Sequence, residues 1–353
     1  MDSRDGSEFY LMLFYNRGLP GMSKSNTSSN SAWGSRNPYW LSAGWSDETN
    51  TTIQWSEPEC VLYSHNASDR IGYPDLFFAE PWETQQGAGD SEETLYMTET
   101  NKQVARLHAI DKALVNGLVA QRTNSQLPKR ADWVSNNRSK KQTLPFALPD
   151  LRLRQSISFE LWLAAPMTAG TTLLLDCHAA SGAAPNNSGI SIHTSTHGNR
   201  TVVYSQFGDG LQVGKIPPSD GSPEPNTRCV VDSTRSSSGQ HHIGLVIDGV
   251  AKLALITVDG VLCDGGDHLE ATQGFWFGLN STMGSLAGSG KEQVSCHIHQ
   301  PSGRVRGYER ALRVSELVGS WKYGNHTAVQ QTTSSLELLD ELLLVDLATA
   351  AVQ

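Results

Sequence analysis

Apolar positions in this chain fall into short runs, many of them alternating with polar residues and nearly all ended by Gly, Pro, Asp or Asn. That rhythm predicts β-strands joined by turns, because alternating side chains point to opposite faces of a strand. An aromatic and aliphatic strand is expected at 9–15, ended by Asn16-Arg17-Gly18, and a Ser/Asn-rich loop follows at 22–32. Further strands are expected at 39–42, 52–55, 59–63, 76–79 and 95–99. Over 104–110 the side chains of Val104, Arg106, His108 and Ile110 share one face, the pattern of a half-buried strand. Residues 111–121 make the first short helix.

A polar, basic stretch at 122–150, with Lys129-Arg130, Arg138, Lys140-Lys141 and three prolines, reads as an extended linker. A second β run follows, with strands expected at 157–163, 172–176, 189–193, 201–206, 242–248, 253–258, 274–279 and 303–308. Asp248-Gly249 and Asp259-Gly260, flanked by apolar alternation, are tight-turn signals. In the tail, Ser334-Ser-Leu-Glu337 is a capping-box signature ahead of a Leu-rich run, which predicts a helix. The fold class is therefore all-β, divided into residues 1–121, a linker at 122–150, a β-sandwich at 151–325 and a tail at 326–353.

Charge and composition narrow the function. A formal charge of -9 lacks the basic excess of a phosphate binder, so no nucleic-acid partner is expected. No apolar run is long enough to span a bilayer, so no membrane role is expected. Eight Asn-X-Ser/Thr sequons, at Asn26, Asn50, Asn66, Asn137, Asn186, Asn199, Asn280 and Asn325, exceed what random placement gives and point to a secreted glycoprotein. Met1-Asp-Ser-Arg-Asp is no signal peptide, so an upstream start is expected for such a protein. The five cysteines allow up to two disulfides with one thiol left over, or buried free thiols.

Residues 157–323 resemble a laminin-G-like, concanavalin-A-like lectin/glucanase domain. The resemblance is carried by Ile157-Ser-Phe-Glu-Leu-Trp162, Gln240-His-His-Ile-Gly244, Val258-Asp-Gly260 and Gly303-Arg-Val-Arg-Gly-Tyr-Glu-Arg-Ala-Leu312. The last of these resembles the family's closing strand, which leads into a turn and a short helix. Trp162 and His242 are read as packing residues, and Arg310 as a pin for the turn. No cofactor is expected. Some relatives hold calcium at the sandwich rim, where Asp209, Asp264 and Asp267 are candidates, yet no dense Asp/Asn cluster with ligand spacing exists. His297 and His299 share one strand face and are read as surface histidines or, with a third ligand, a metal pair.

Residues 9–121 resemble the final part of a sialidase-superfamily β-propeller. Arg36-Asn-Pro, Trp55-Ser-Glu-Pro-Glu59, Gly72-Tyr73-Pro-Asp-Leu76 and Tyr96-Met-Thr-Glu99 carry this resemblance. Sialic acid bears a carboxylate on its anomeric carbon. A guanidinium fork grips that group in two places, and a neutral phenol attacks where a carboxylate nucleophile would be repelled. The resemblance implies Arg36 as one arm of the carboxylate clamp, Tyr73 as nucleophile and Glu99 as the acid that orients another arginine. Arg70 and Arg106 are reserve arginines, read as solvated. Two more clamp arginines, an activating carboxylate and an acid aspartate would come from earlier blades. The Asp-box motif leaves only a trace in Trp45-Ser-Asp-Glu and Ile53-Gln-Trp. At about 40–45 residues per blade, this segment supplies only part of a ring.

Three functions remain open on these residues: the C-terminal part of a secreted exo-sialidase-like glycosidase, a glycan- or glycoprotein-binding module without hydrolysis, or an inactive truncated product. A glycan or glycoconjugate is the expected ligand in the first two.

Overall fold

The computed structural model describes residues 9–17, 36–46, 51–63, 72–79, 94–100, 104–129, 131–135, 141–164, 170–179, 188–197, 200–211, 213–216, 230–231, 240–263, 277–278, 282–288, 294–299 and 304–324. The tail helix expected after Ser334, and all eight sequon asparagines, lie outside them. No helix among the described residues is long and apolar enough to cross a membrane.

The first part of the chain forms two small antiparallel sheets. In one, β2 (Arg36–Ser46) pairs with β1 (Tyr10–Arg17) on one side and with the short β3 (Ile53–Trp55) and β4 (Glu59–Leu62) on the other. The other has the order β5 (Asp75–Ala79), β6 (Thr94–Thr100), β7 (Ala105–Ala109). Strand alternation puts Leu41, Ala43 and Trp45 on one face of β2, and Leu95 and Met97 on one face of β6. These faces share a core with Leu118 of α1 (Lys112–Ala120). Asp111 starts that helix by accepting the Ala113 N–H, a side-chain cap of the kind expected there.

The stretch read as a linker departs from that expectation. Within it, β8 (Trp133–Ser135) and β9 (Lys141–Thr143) each add a strand to one sheet of the sandwich that follows. Leu144, Phe146 and Leu148 then enter the core. Charged residues around short edge strands blunt unwanted pairing, and the same charges make such strands look like tether in the sequence.

The sandwich is built from β10 (Ile157–Ala164), β11 (Gly170–Ala179), β12 (Ser188–His197), β13 (Arg200–Asp209), β14 (Val213–Ile216), β15 (Val230–Val231), β16 (Gln240–Asp248), β17 (Leu253–Val258), β18 (Val261–Leu262), β19 (Phe277–Gly278), β20 (Val294–Ile298) and β21 (Val305–Tyr308). One sheet runs β18-β17-β16-β10-β21-β8, with β19 also on β17; the facing sheet runs β14-β13-β12-β11-β20-β9, with β15 also on β13. Phe159, Leu161, Ile243 and Leu245 of the first meet Leu175, Ile190, Ile192 and Phe207 of the second. Asp259 and Gly260, at φ +52 and +72, form the two-residue turn between β17 and β18, as an Asp-Gly hairpin requires. Cys177 and Cys296, directly opposite on β11 and β20, form a disulfide. Cys263 is disulfide-bonded as well, and Cys60 is a free thiol.

The two parts pack closely. Trp40, fully buried, sits with Val246, Leu255 and Tyr308 on the outer face of the β10/β16 sheet. The same cluster includes Leu312 and, from helix α2 (314–324), Val314, Leu317 and Val318. Gly244 lets α2 approach this sheet, because a Cβ there would lie 2.8 Å from Leu317. This is the short helix expected after the closing strand.

Candidate active site at the Tyr73 groove

The burial pattern of β6 points Leu95, Met97 and Glu99 inward. A carboxylate at the end of an apolar row needs a compensating partner. Arg106 supplies it: the two residues are directly opposite on β6 and β7, and Arg106 Nη1 donates to Glu99 Oε1 at 2.5 Å. Glu99 is 2% exposed whereas Arg106 is half exposed, so the guanidinium spans from a buried anion to solvent. His108 Nε2 lies 3.7 Å from the same carboxylate oxygen. Glu99 Oε2 and His108 Nε2 are buried with no hydrogen-bond partner.

Tyr73 lies in the segment leading into β5. The Thr100 N–H donates to the Gly72 carbonyl at 2.9 Å, which extends the β5–β6 pairing to the level of Tyr73 and Glu99. Tyr73 is 59% exposed and holds φ +50, a left-handed conformation that a bulky residue seldom adopts. It borders an open groove of about 550 Å³, whose other walls are Leu11, Leu13, Tyr39, Pro74, Asp75 and Leu76. Arg36 opens β2 opposite Arg17, three residues before Tyr39; its side chain lies outside what is described.

Of the three residues singled out in the sequence, Tyr73 precedes β5 and is exposed, whereas Glu99 lies on the neighbouring β6 and is buried. Arg106, read in the sequence as solvated, is half exposed and ion-paired with Glu99. The β6–β7 register, which sets Glu99 against Arg106 and Met97 against His108, is what brings this partner to Glu99.

In the sandwich, Trp162 and His242 pack ring to ring at 4.7 Å beneath α2. His242 Nε2 is 3.2 Å from Glu160 Oε1, and the Tyr308 hydroxyl donates to Glu160 Oε2. Burial works to raise the Glu160 carboxyl, but the His242 hydrogen bond and charge outweigh it and hold the group below its ordinary range. Arg310 grips both carboxylate oxygens of Glu316, at 2.8 and 2.6 Å, and so pins the turn. Asp209 accepts from the Leu211 and Gly284 N–H groups, while Asp264 and Asp267 lie outside the described residues. The His297 and His299 rings lie 4.0 Å apart, and burial, then the neighbouring His297, hold His299 below its usual value. Among the described residues no group of three or more His, Cys, Asp or Glu is arranged to hold a metal ion.

No family model matches the chain, and no curated protein matches it. Several solved structures align with it in part. The CBM40 module of the Ruminococcus gnavus IT-sialidase aligns at 11% identity and TM-score 0.31, over 54% of this chain and 98% of that one. A leech intramolecular trans-sialidase complexed with 2,7-anhydro-Neu5Ac aligns at 12% identity and TM-score 0.32, over 56% of this chain and 28% of that one. Trypanosoma rangeli sialidase aligns at 12% identity and TM-score 0.26, over 88% of this chain and 50% of that one. Likeness at this level assigns no residue a role.

Proposed function

We propose that the chain is part of a retaining exo-sialidase-like glycoside hydrolase with an appended lectin-like sandwich. The observation that carries this reading is the exposed, left-handed Tyr73 at the edge of an open groove, in a sheet that also holds the Glu99–Arg106 ion pair. In the proposed reaction the Tyr73 oxygen attacks the anomeric carbon as the bond to the leaving group breaks. Water then hydrolyses the aryl-glycosyl intermediate. Glu99 orients Arg106 through its Nη1 contact, and Arg36 serves as an arm of the carboxylate clamp. The base for the phenol and the acid for the leaving group come from residues other than these. The proposed chemistry needs no cofactor. The disulfide chemistry of Cys177, Cys263 and Cys296 and the sequons support an extracellular setting.

A second reading, glycan binding without cleavage, is favoured by one feature of the sandwich. His297, Asp176, Ser191 and Gln206 stand in register across four strands of the sheet that the first part of the chain leaves open, next to the stacked His193 and Tyr204 rings. Release of fluorophore from an aryl sialoside by the full chain separates the two. Turnover that disappears in Tyr73→Phe supports hydrolysis. No turnover, with 3′-sialyllactose binding unaffected by Tyr73→Phe, supports the binding module, and neither turnover nor binding overturns both.

A further inference from the structure

The two faces of the first sheet differ. Leu11, Leu13 and Leu41 face the core beside the Tyr73 groove, whereas Tyr10, Met12, Gly44, Ile53 and Trp55 face the other way. On that second face Trp40 and Phe14 are covered by the sandwich cluster, but Tyr10, Met12, Ile53 and Trp55 stay 37–44% exposed. A contiguous exposed apolar patch of this kind marks a binding surface more often than chance.

Its construction indicates the ligand. Tyr10, Gly44 and Trp55 form one row across β1, β2 and β3. A Cβ on Gly44 would come within 2.7 Å of both the Trp55 ring and Ile53, so the glycine lets these side chains lie down over the sheet. Hydroxyl groups border the row, with Ser46 Oγ 3.5 Å from the Tyr10 hydroxyl. Among the described residues, none on this part of the face carries a charge. We propose that this face binds a neutral hexopyranose, whose apolar C–H face stacks on Trp55 and Tyr10 while its hydroxyls meet the bordering polar groups. A sugar carboxylate would be desolvated here with no cation to pair it among the described residues of this face. The site is on the opposite side of the sheet from the Tyr73 groove and does not depend on hydrolysis there.

The test is titration of the full chain with lactose, followed by tryptophan fluorescence and calorimetry, with 3′-sialyllactose as the charged comparator. Trp55→Ala and Tyr10→Ala should each weaken lactose binding by about tenfold or more. Trp55→Tyr, which keeps a stacking ring, should retain most of the affinity and guards against a variant that merely fails to fold. Tyr73→Phe should leave lactose binding unchanged, which separates this site from the proposed catalytic one. Absence of lactose binding up to about 10 mM, or binding indifferent to Trp55, overturns the proposal. So does a change of oligomeric state in Trp55→Ala without a change in sugar binding, which would make the patch a protein interface.

Discussion

Glu59 caps a helix that begins 255 residues further along the chain. Its carboxylate oxygens accept the Val314 and Ser315 N–H groups at 3.1 and 2.8 Å, tying the end of the first sheet to the start of α2. The anion also faces the positive end of the helix. Glu59→Ala should lower stability by about 1–2 kcal/mol, read from urea denaturation, because two buried donors lose their acceptor. The pH dependence has a defined sign. Burial pushes the Glu59 carboxyl above its ordinary value of 4.5, and the hydrogen bonds from Ser315 and Val314 offset this only in part. The folded chain therefore holds this proton to higher pH than the unfolded chain, so its contribution to stability is full below about 4.5 and falls as pH rises through the folded value. Glu59→Gln should remove that slope; an unchanged slope would show that the carboxyl is not the source.

Glu160 should behave in the opposite sense. Although burial opposes it, the His242 hydrogen bond and charge hold its carboxyl below the ordinary 4.5. Its contribution should be present above about 4.5 and lost as pH falls through the lowered folded value. Glu160→Ala should cost about 1–3 kcal/mol at neutral pH, because it leaves the buried His242 and Tyr308 groups without their acceptor. Retained stability in that variant would mean that the His242–Glu160–Tyr308 contacts are not a structural centre of the sandwich.

The Cys177–Cys296 bridge joins neighbouring strands but closes a long loop, with a sequence separation of 119. Replacing both cysteines by Ala should lower stability by about 3–5 kcal/mol, chiefly by freeing the unfolded chain. Reduction of the wild type, which also opens the Cys263 bridge, should lower its melting temperature at least as far as the double substitution does. A double variant that melts like the oxidised wild type would sink this account.

The all-β class was legible because alternation reports strand faces directly, and the Asp259-Gly260 turn because its backbone demands were written in two residues. Edge strands β8 and β9 were not legible, because the basic and proline-containing run around them reads in the sequence as a solvated tether. Tyr73 and Glu99 stood out through residue type and order. The Arg106 partnership needed the register of the β6–β7 hairpin, which alternation alone leaves undetermined. The role of Glu59 lay beyond any local pattern, because its partners come from α2 at the far end of the described chain.

Tyr73 combines a strained backbone with a largely exposed ring. A residue held there by packing would lose stability when replaced; one kept for chemistry would not. Asn tolerates the left-handed region far better than Tyr. Tyr73→Asn should therefore leave stability unchanged or raise it by about 1 kcal/mol, while abolishing any release of fluorophore from the aryl sialoside. A loss of more than about 2 kcal/mol would instead mean that the tyrosine ring supports the fold, and with it the nucleophile assignment would lose its structural argument.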